Sequence, residues 1–305
     1  MSSRSASKNE EYGRTGDRDA TEGRVCISLE GLKPQFLGDV IRVGARGDGG
    51  YVVNQRAVLR SQCLMSFGVN DDWSFELDFV NRKPDVKVFC FDHSVSKSIF
   101  RKKMLDALNE VLSPKFAFLV LSLKLSRMRQ QLSQLKHWTK TYFGFSRFVA
   151  KENIRVFMRG ISNERTTQFV TFADAFRLIS GDDVPDNSVF VKMDIEQSEF
   201  RVLPDLLKME RCINGLVIEF HDLDILWDKF VEITDQLKTH FEITHIHGNN
   251  FAGFIPNSRA PKVLEITFLK RNLIHEPPTD QTITYPIPGL DYPNNRQEKD
   301  YPLFF

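Results

Sequence analysis

The sequence predicts an α/β fold built on a Rossmann-like seven-stranded sheet, mostly parallel with an antiparallel edge strand. Three observations predict it. Short apolar runs recur along the chain and end in glycine, carboxylates or histidine, as buried parallel strands do where they reach a rim. Segments with helical periodicity separate most of these runs, which implies right-handed crossovers. The last two runs, Phe241 to His247 and Lys262 to Leu269, are joined only by the loop from Gly248 to Pro261, so they should pair antiparallel at the edge.

Taken in order, Met1 to Arg24 carries five basic and five acidic residues among Ser, Gly and Thr, with no apolar core of a signal peptide. Residues 1–24 therefore read as a disordered polar tail, and 25–305 as one domain. Gly44 to Gly50 holds four glycines in seven positions before a strand-like Tyr51-Val52-Val53. Such a loop is a hairpin, a backbone surface that approaches a ligand, or both. Cys63-Leu-Met-Ser-Phe-Gly68 is a short strand ending in glycine, and Asp71 to Val80 reads as a helix. Strand, glycine, polar turn and helix open a nucleotide-binding unit, although the single glycine is not G-x-G-x-x-G. Asp85 to Asp92 alternates into a strand ending in an acid, 24 residues after Gly68. That spacing suits an acceptor for ribose hydroxyls. Asp92, with His93-Ser94, also suits the N-terminus of a helix from Ser94 to Glu110.

One segment breaks the rhythm. Residues 113–151 carry eight Lys or Arg and no Asp or Glu, with apolar residues at helical spacing. This basic helical insertion has three readings: a lid that attracts an anionic substrate, a helix lying on a membrane surface, or a solvated face. Asn153 to Met158 is the next strand, followed by Gly160-Ile161-Ser162. Thr171 to Ile179 reads as a helix capped by Thr171, with Asp174 at its third position. Asp182 to Asn187 is a turn. Val189 to Met193 then runs straight into Asp194 and Glu196. Carboxylates at the end of a buried strand are costly unless they have a task, and the rim beyond such ends is where ligands bind. A helix cap at Asp194 or Ser198 is the plainer alternative. Ile213 to His221 is a further strand with a polar end at Glu219 and His221, Leu223 to Leu237 is helical, and an irregular strap begins near 277.

The totals exclude little. A net charge of +1 gives no electrostatic case for nucleic acid, and none is expected as partner. No apolar run reaches the length of a membrane span. Cys26, Cys63, Cys90 and Cys212 are scattered without C-x-x-C spacing, which fits a reducing, cytoplasmic setting.

These residues resemble FkbM-type S-adenosylmethionine-dependent methyltransferases. The resemblance rests on Ser66-Phe-Gly-Val-Asn-Asp-Asp-Trp-Ser-Phe-Glu76, Phe91-Asp92, Lys192-Met-Asp-Ile-Glu-Gln-Ser-Glu199 and Val217-Ile-Glu-Phe-His221 in that order. Arg42 to Tyr51 looks like the lead-in of that family's methyltransferase-like branch. The match spans roughly Leu37 to Leu269. It implies the class I methyltransferase fold and methyl transfer to a hydroxyl of a sugar or related small molecule. It also implies that Gly68, Asn70 and Asp71 approach the methionine part of the cofactor, that Asp92 and the adjoining His93 hold its ribose end, that Ile161 lies near adenine, and that Asp194 faces the transfer site. The family usually has glycine where this chain has Gln197.

A hydroxyl needs help to lose its proton. Asp194, Glu219, His221, His245 and His247 are candidates on the rim, with Asp194, His221 and His247 the expected catalytic set. His221 and His247 are expected to end adjacent strands and converge; each could instead cap a strand or bond a carbonyl. Asp194 and Glu219, with His221 nearby, could hold a divalent cation such as magnesium. Asn249 and Asn250 suit acceptor hydroxyls, or an ordinary turn. A non-catalytic binding module on the same fold and a nicotinamide-dependent oxidoreductase are the competing readings.

Overall fold

The computed structural model describes residues 27–35, 37–180, 184–196, 198–275 and 283–305. The expectations for the tail at 1–24, for Cys26, for Gln197 and for the start of the strap lie outside these residues, as does part of the turn at 182–187.

An antiparallel hairpin comes first, β1 (Val40–Gly44) and β2 (Gly50–Asn54), so the glycine-rich loop is its turn. Gly44 and Gly50 oppose one another, and a Cβ on Gly50 would meet the Ala45 carbonyl oxygen at 2.0 Å, which is why the turn needs glycine. Helix α1 (Gln55–Arg60) leads into β3 (Cys63–Phe67), α2 (Ser74–Arg82) and β4 (Lys87–Phe91). The next helix, α3 (Lys97–Val111), starts later than expected. Its cap is Ser96, whose Oγ accepts from the Ile99 amide, so Asp92 is free of capping duty.

The basic insertion is two helices rather than one, α4 (Pro114–Leu121) and α5 (Leu125–Phe148), broken at Leu123 with φ +52°. After β5 (Ile154–Phe157) come the short pair β6 (Gly160–Ile161) and β7 (Phe169–Val170), then α6 (Phe172–Ser180). Here Thr171 Oγ1 accepts from the Asp174 amide, as the capping box predicts. The chain continues through β8 (Val189–Met193), α7 (Glu199–Leu207), β9 (Ile213–Phe220), α8 (Leu223–Lys238), β10 (Phe241–Gly248) and β11 (Leu264–Lys270).

Among the described residues seven strands form one sheet in the order β10-β11-β9-β8-β3-β4-β5. All run parallel except β11, which lies antiparallel between β9 and the edge strand β10. A mostly parallel sheet with the final strand inserted this way is the Rossmann-like class I methyltransferase fold. The chain leaves β3 toward β4 and β5, then returns to β8 on the other side. The switch point therefore lies between β3 and β8, where a crevice opens beyond the strand ends. Alternate strand residues feed a core on each face: Met65, Phe67, Val191 and Met193 on one, Leu64, Val88 and Phe190 on the other. Ser66 and Lys192, paired in register on the second face, are buried polar exceptions; Ser66 donates to buried Glu76 of α2, and Lys192 reaches Gly68 and Asp194.

Candidate functional site

Register places Phe67 opposite Met193, so the residues that follow, Gly68 and Asp194, leave the sheet side by side. Gly68 has φ +78°, and a Cβ there would sit 1.6 Å from the Asp194 carbonyl oxygen. Glycine is thus demanded twice, by conformation and by space. The turn after it is built around Asp92. One carboxylate oxygen accepts from the amides of Val69 at 2.9 Å and Asn70 at 2.8 Å; the other accepts from the Ser94 amide and hydroxyl, each at 2.7 Å. Burial raises the Asp92 pKa, but these hydrogen bonds outweigh it, and the group is held below the usual carboxylate range. Lys192 closes the turn from beneath, its ammonium donating to the Gly68 carbonyl.

Beyond these strand ends lies a cavity of about 270 Å³. Gly68, Asn70, Asp92, His93, Ile161 and Asp194 all line it, so six of the residues expected to bind cofactor converge there. Asp71 does not line it; its carboxylate pairs with His137 of α5 at 2.9 Å. Phe169 was not foreseen. Its ring stands 5.0 Å from that of His93, and a Cβ on Gly160 would strike the Phe169 ring at 2.6 Å. An aromatic that opens a two-residue strand gives no periodic signal, which is why sequence reasoning missed it. None of the eight basic residues of 113–151 lines this cavity.

On the β9 side, Asp194 joins a second group of residues. Tyr51, from the hairpin, places its hydroxyl 3.2 Å from Asp194 Oδ2 and 3.0 Å from Glu219 Oε2. Burial, reinforced by those carboxylates, drives the Tyr51 pKa well above its ordinary value, so the phenol stays protonated. One hydroxyl proton serves one carboxylate at a time. The Tyr51 hydroxyl is the donor to both, so Asp194 Oδ2 and Glu219 Oε2 share its single proton. Burial and the charges of Asp194 and Glu265 push the Glu219 pKa well up. Asn249 fixes the other Glu219 oxygen at 2.8 Å. The Lys192 ammonium lies 3.5 Å from Asp194 Oδ2, and Asp194 Oδ1 has no hydrogen-bond donor among the described residues.

His221 sits behind Asp194, its Nε2 3.8 Å from Asp194 Oδ1 and its Nδ1 2.8 Å from the buried carboxylate of Glu199. Burial works against its charge, yet the Glu199 hydrogen bond and three nearby carboxylates raise its pKa to about 9. His221 is therefore an imidazolium at neutral pH. His247 is elsewhere. The intervening β11 separates its strand from β9, and its two ring nitrogens meet Glu265 at 3.1 Å and Asp300 at 3.0 Å. His245 likewise meets Asp291 of the C-terminal segment. The expected convergence of His221 and His247 fails because a strand-end position says nothing of which strand is inserted between. Of the asparagines, Asn250 donates to backbone carbonyls of Asn295 and Lys299.

No protein-family model and no curated protein matches the chain. Among solved structures it is similar to a precorrin-6y C5,15-methyltransferase from Geobacter metallireducens GS-15, at 15% identity and TM-score 0.34 over 71% of this chain and 85% of that one. It is also similar to the fibrillarin pre-rRNA processing protein of Methanococcus jannaschii, at 11% identity and TM-score 0.34 over 80% and 86%, and to the mitomycin 7-O-methyltransferase MmcR, at 9% identity and TM-score 0.29 over 71% and 52%. Likeness this distant says nothing of chemistry, and the fold assignment rests on strand order.

Proposed function

We propose that this protein is an S-adenosylmethionine-dependent methyltransferase that methylates a hydroxyl of a sugar or another small polar acceptor. One observation carries the reading: an anionic Asp92 organises the glycine turn at the switch point while Asp194 stands across the same cavity. The residues fit the cofactor. Gly68 and Asn70 offer backbone without side-chain obstruction, Ile161, Phe169 and His93 offer flat or apolar walls, and Gly160 leaves room beside them. Asp92 has its four acceptor positions filled, so a ribose hydroxyl would take the place of the Ser94 hydroxyl. Bound there, the cofactor supplies a methyl group on a sulfonium.

The chain's own residues orient the acceptor and receive its proton. Asp194 Oδ1 is the receiving atom in this reading, because Tyr51 and Lys192 occupy Oδ2, whereas Oδ1 faces only His221 Nε2 at 3.8 Å, beyond hydrogen-bond distance. His221 as an imidazolium is a positioning residue that keeps Asp194 and Glu219 in place. A divalent cation fits poorly. Asp194, Glu219 and His221 do put ligand atoms within 4.8 Å of one another. A metal would have to displace the proton that His221 holds with a pKa of about 9 and compete with the Lys192 ammonium 3.5 Å from Asp194 Oδ2.

The test is transfer of a labelled methyl group to a panel of sugars and small polyols, with Asp194→Ala alongside. Label in a hydroxyl of one acceptor, lost in the variant, is the expected result. A folded, cofactor-binding protein that labels nothing on the panel would leave a binding module as the better description.

A further inference from the structure

We infer that the helical excursion formed by α4 and α5 is a docking surface for an anionic membrane. Helix α4 is apolar at every position but Lys115, yet among its residues Leu119 alone is buried. Ala117, Phe118, Val120 and Leu121 fall three and four apart and share one exposed face. Leu121 is 83% exposed, Leu123 in the following turn 78% and Leu112 before the helix 73%. Large aliphatics concentrated at one tip, rather than scattered singly, mark a surface that is covered in use.

The charge around the tip says what covers it. Lys115, Lys124, Arg127 and Arg129 are exposed beside these residues, and no acid interrupts residues 111–151, which Glu110 and Glu152 flank. The Lys124 ammonium lies 5.7 Å from the centre of the Phe118 ring, so cation and apolar face adjoin. Aliphatic side chains that enter the acyl boundary, ringed by cations at headgroup level, are the composition of an interfacial helix. Protein interfaces instead deplete lysine. None of the described helices is long and apolar enough to cross a membrane, so the tip would lie in the interface rather than span it. The far end of α5 is fixed to the domain: Phe145 and Phe148 pack on Trp73, and His137 reaches Asp71 beside the cofactor turn. A docked tip would therefore carry the whole domain to the surface. None of this depends on the chemistry at the cavity.

Flotation of the full chain with phosphatidylcholine vesicles, with and without phosphatidylserine, tests the proposal. The protein should float with the anionic vesicles, not with the neutral ones, and should release in high salt. Lys124→Ser and Arg127→Ser should each weaken binding roughly fivefold. Leu121→Asp with Leu123→Asp should abolish it while leaving the circular dichroism spectrum and thermal unfolding unchanged, because both side chains are exposed. Failure of the wild type to float, or unchanged flotation of the double aspartate variant, overturns the proposal. So does a lipid-free oligomer that the same variant converts to monomer, which would identify the patch as a protein interface.

Discussion

Gly68 and Asp194 approach so closely that a β-carbon on Gly68 would lie 1.6 Å from the Asp194 carbonyl oxygen. The contact joins the cavity to the carboxylate group beside it, since Gly68 begins the turn held by Asp92 and Asp194 meets Tyr51 and His221. Gly68→Ala cannot be absorbed by a side-chain rotation, because the obstacle is backbone. We expect a loss of about 1–3 kcal/mol in urea unfolding from overpacking alone. Cofactor affinity should fall by at least tenfold, read by calorimetry on the folded fraction.

Tyr51→Phe removes one oxygen and leaves the ring packed against Phe75. Asp194 then loses a donor, and buried Glu219 loses its partner at Oε2. A hydrogen bond to a charged group is worth about 1.5–3 kcal/mol, so turnover should drop roughly tenfold to a hundredfold. Cofactor affinity should be unchanged, because Tyr51 does not line the cavity. Equal losses in both would assign Tyr51 to binding instead.

Neither the Tyr51 contact nor its importance was legible in the sequence. It spans 143 residues to Asp194 and 168 to Glu219, and no local pattern encodes a distance of that kind. Strands were legible wherever an apolar run ended in a polar group, because burial on both faces writes a continuous signal. The Thr171–Asp174 cap was legible for the opposite reason: it is wholly local. Strand order is written in no single stretch, so the insertion of β11 beside β9 separated two histidines expected to meet. Lys192 carried a visible signal, a charge inside the run from Val189 to Met193, but its partners at Gly68 and Asp194 emerge only from register. The insertion was visible as basic and helical, while its break at Leu123 was not.

Asp92→Asn keeps the shape and removes the charge. An amide cannot accept at both ends, so two of the four donors from Val69, Asn70 and Ser94 lose a partner. Asn70 and Ser94 are exposed and can turn to water, so urea unfolding at pH 7 should show a loss of about 1–3 kcal/mol, from the weakened charge-assisted bonds. The folded pKa of Asp92 is depressed, so its contribution is present above the ordinary value of 3.8 and is lost as pH falls through the folded value. The difference between wild type and variant should therefore shrink in acid.

His247 gives the opposite pH signature. Burial disfavours its charge, but Glu265 and Asp300 more than reverse this and raise its pKa to about 10 from an ordinary 6.5. Its stabilising effect is full below pH 6.5 and is lost as pH rises through 10. Denaturation midpoints should fall across that window by the equivalent of a few kcal/mol, on the order of 3. His247→Gln should flatten the profile and leave cofactor affinity intact, since His247 braces the C-terminal segment and lies outside the cavity. A variant that binds cofactor poorly at every pH would return His247 to the site.

Calorimetric titration of the full chain with S-adenosylmethionine tests the central claim most directly. One equivalent should bind the wild type, and Asp92→Asn should bind at least tenfold more weakly under the same conditions. Absence of any binding by a protein whose folding is confirmed by cooperative thermal unfolding would contradict the account.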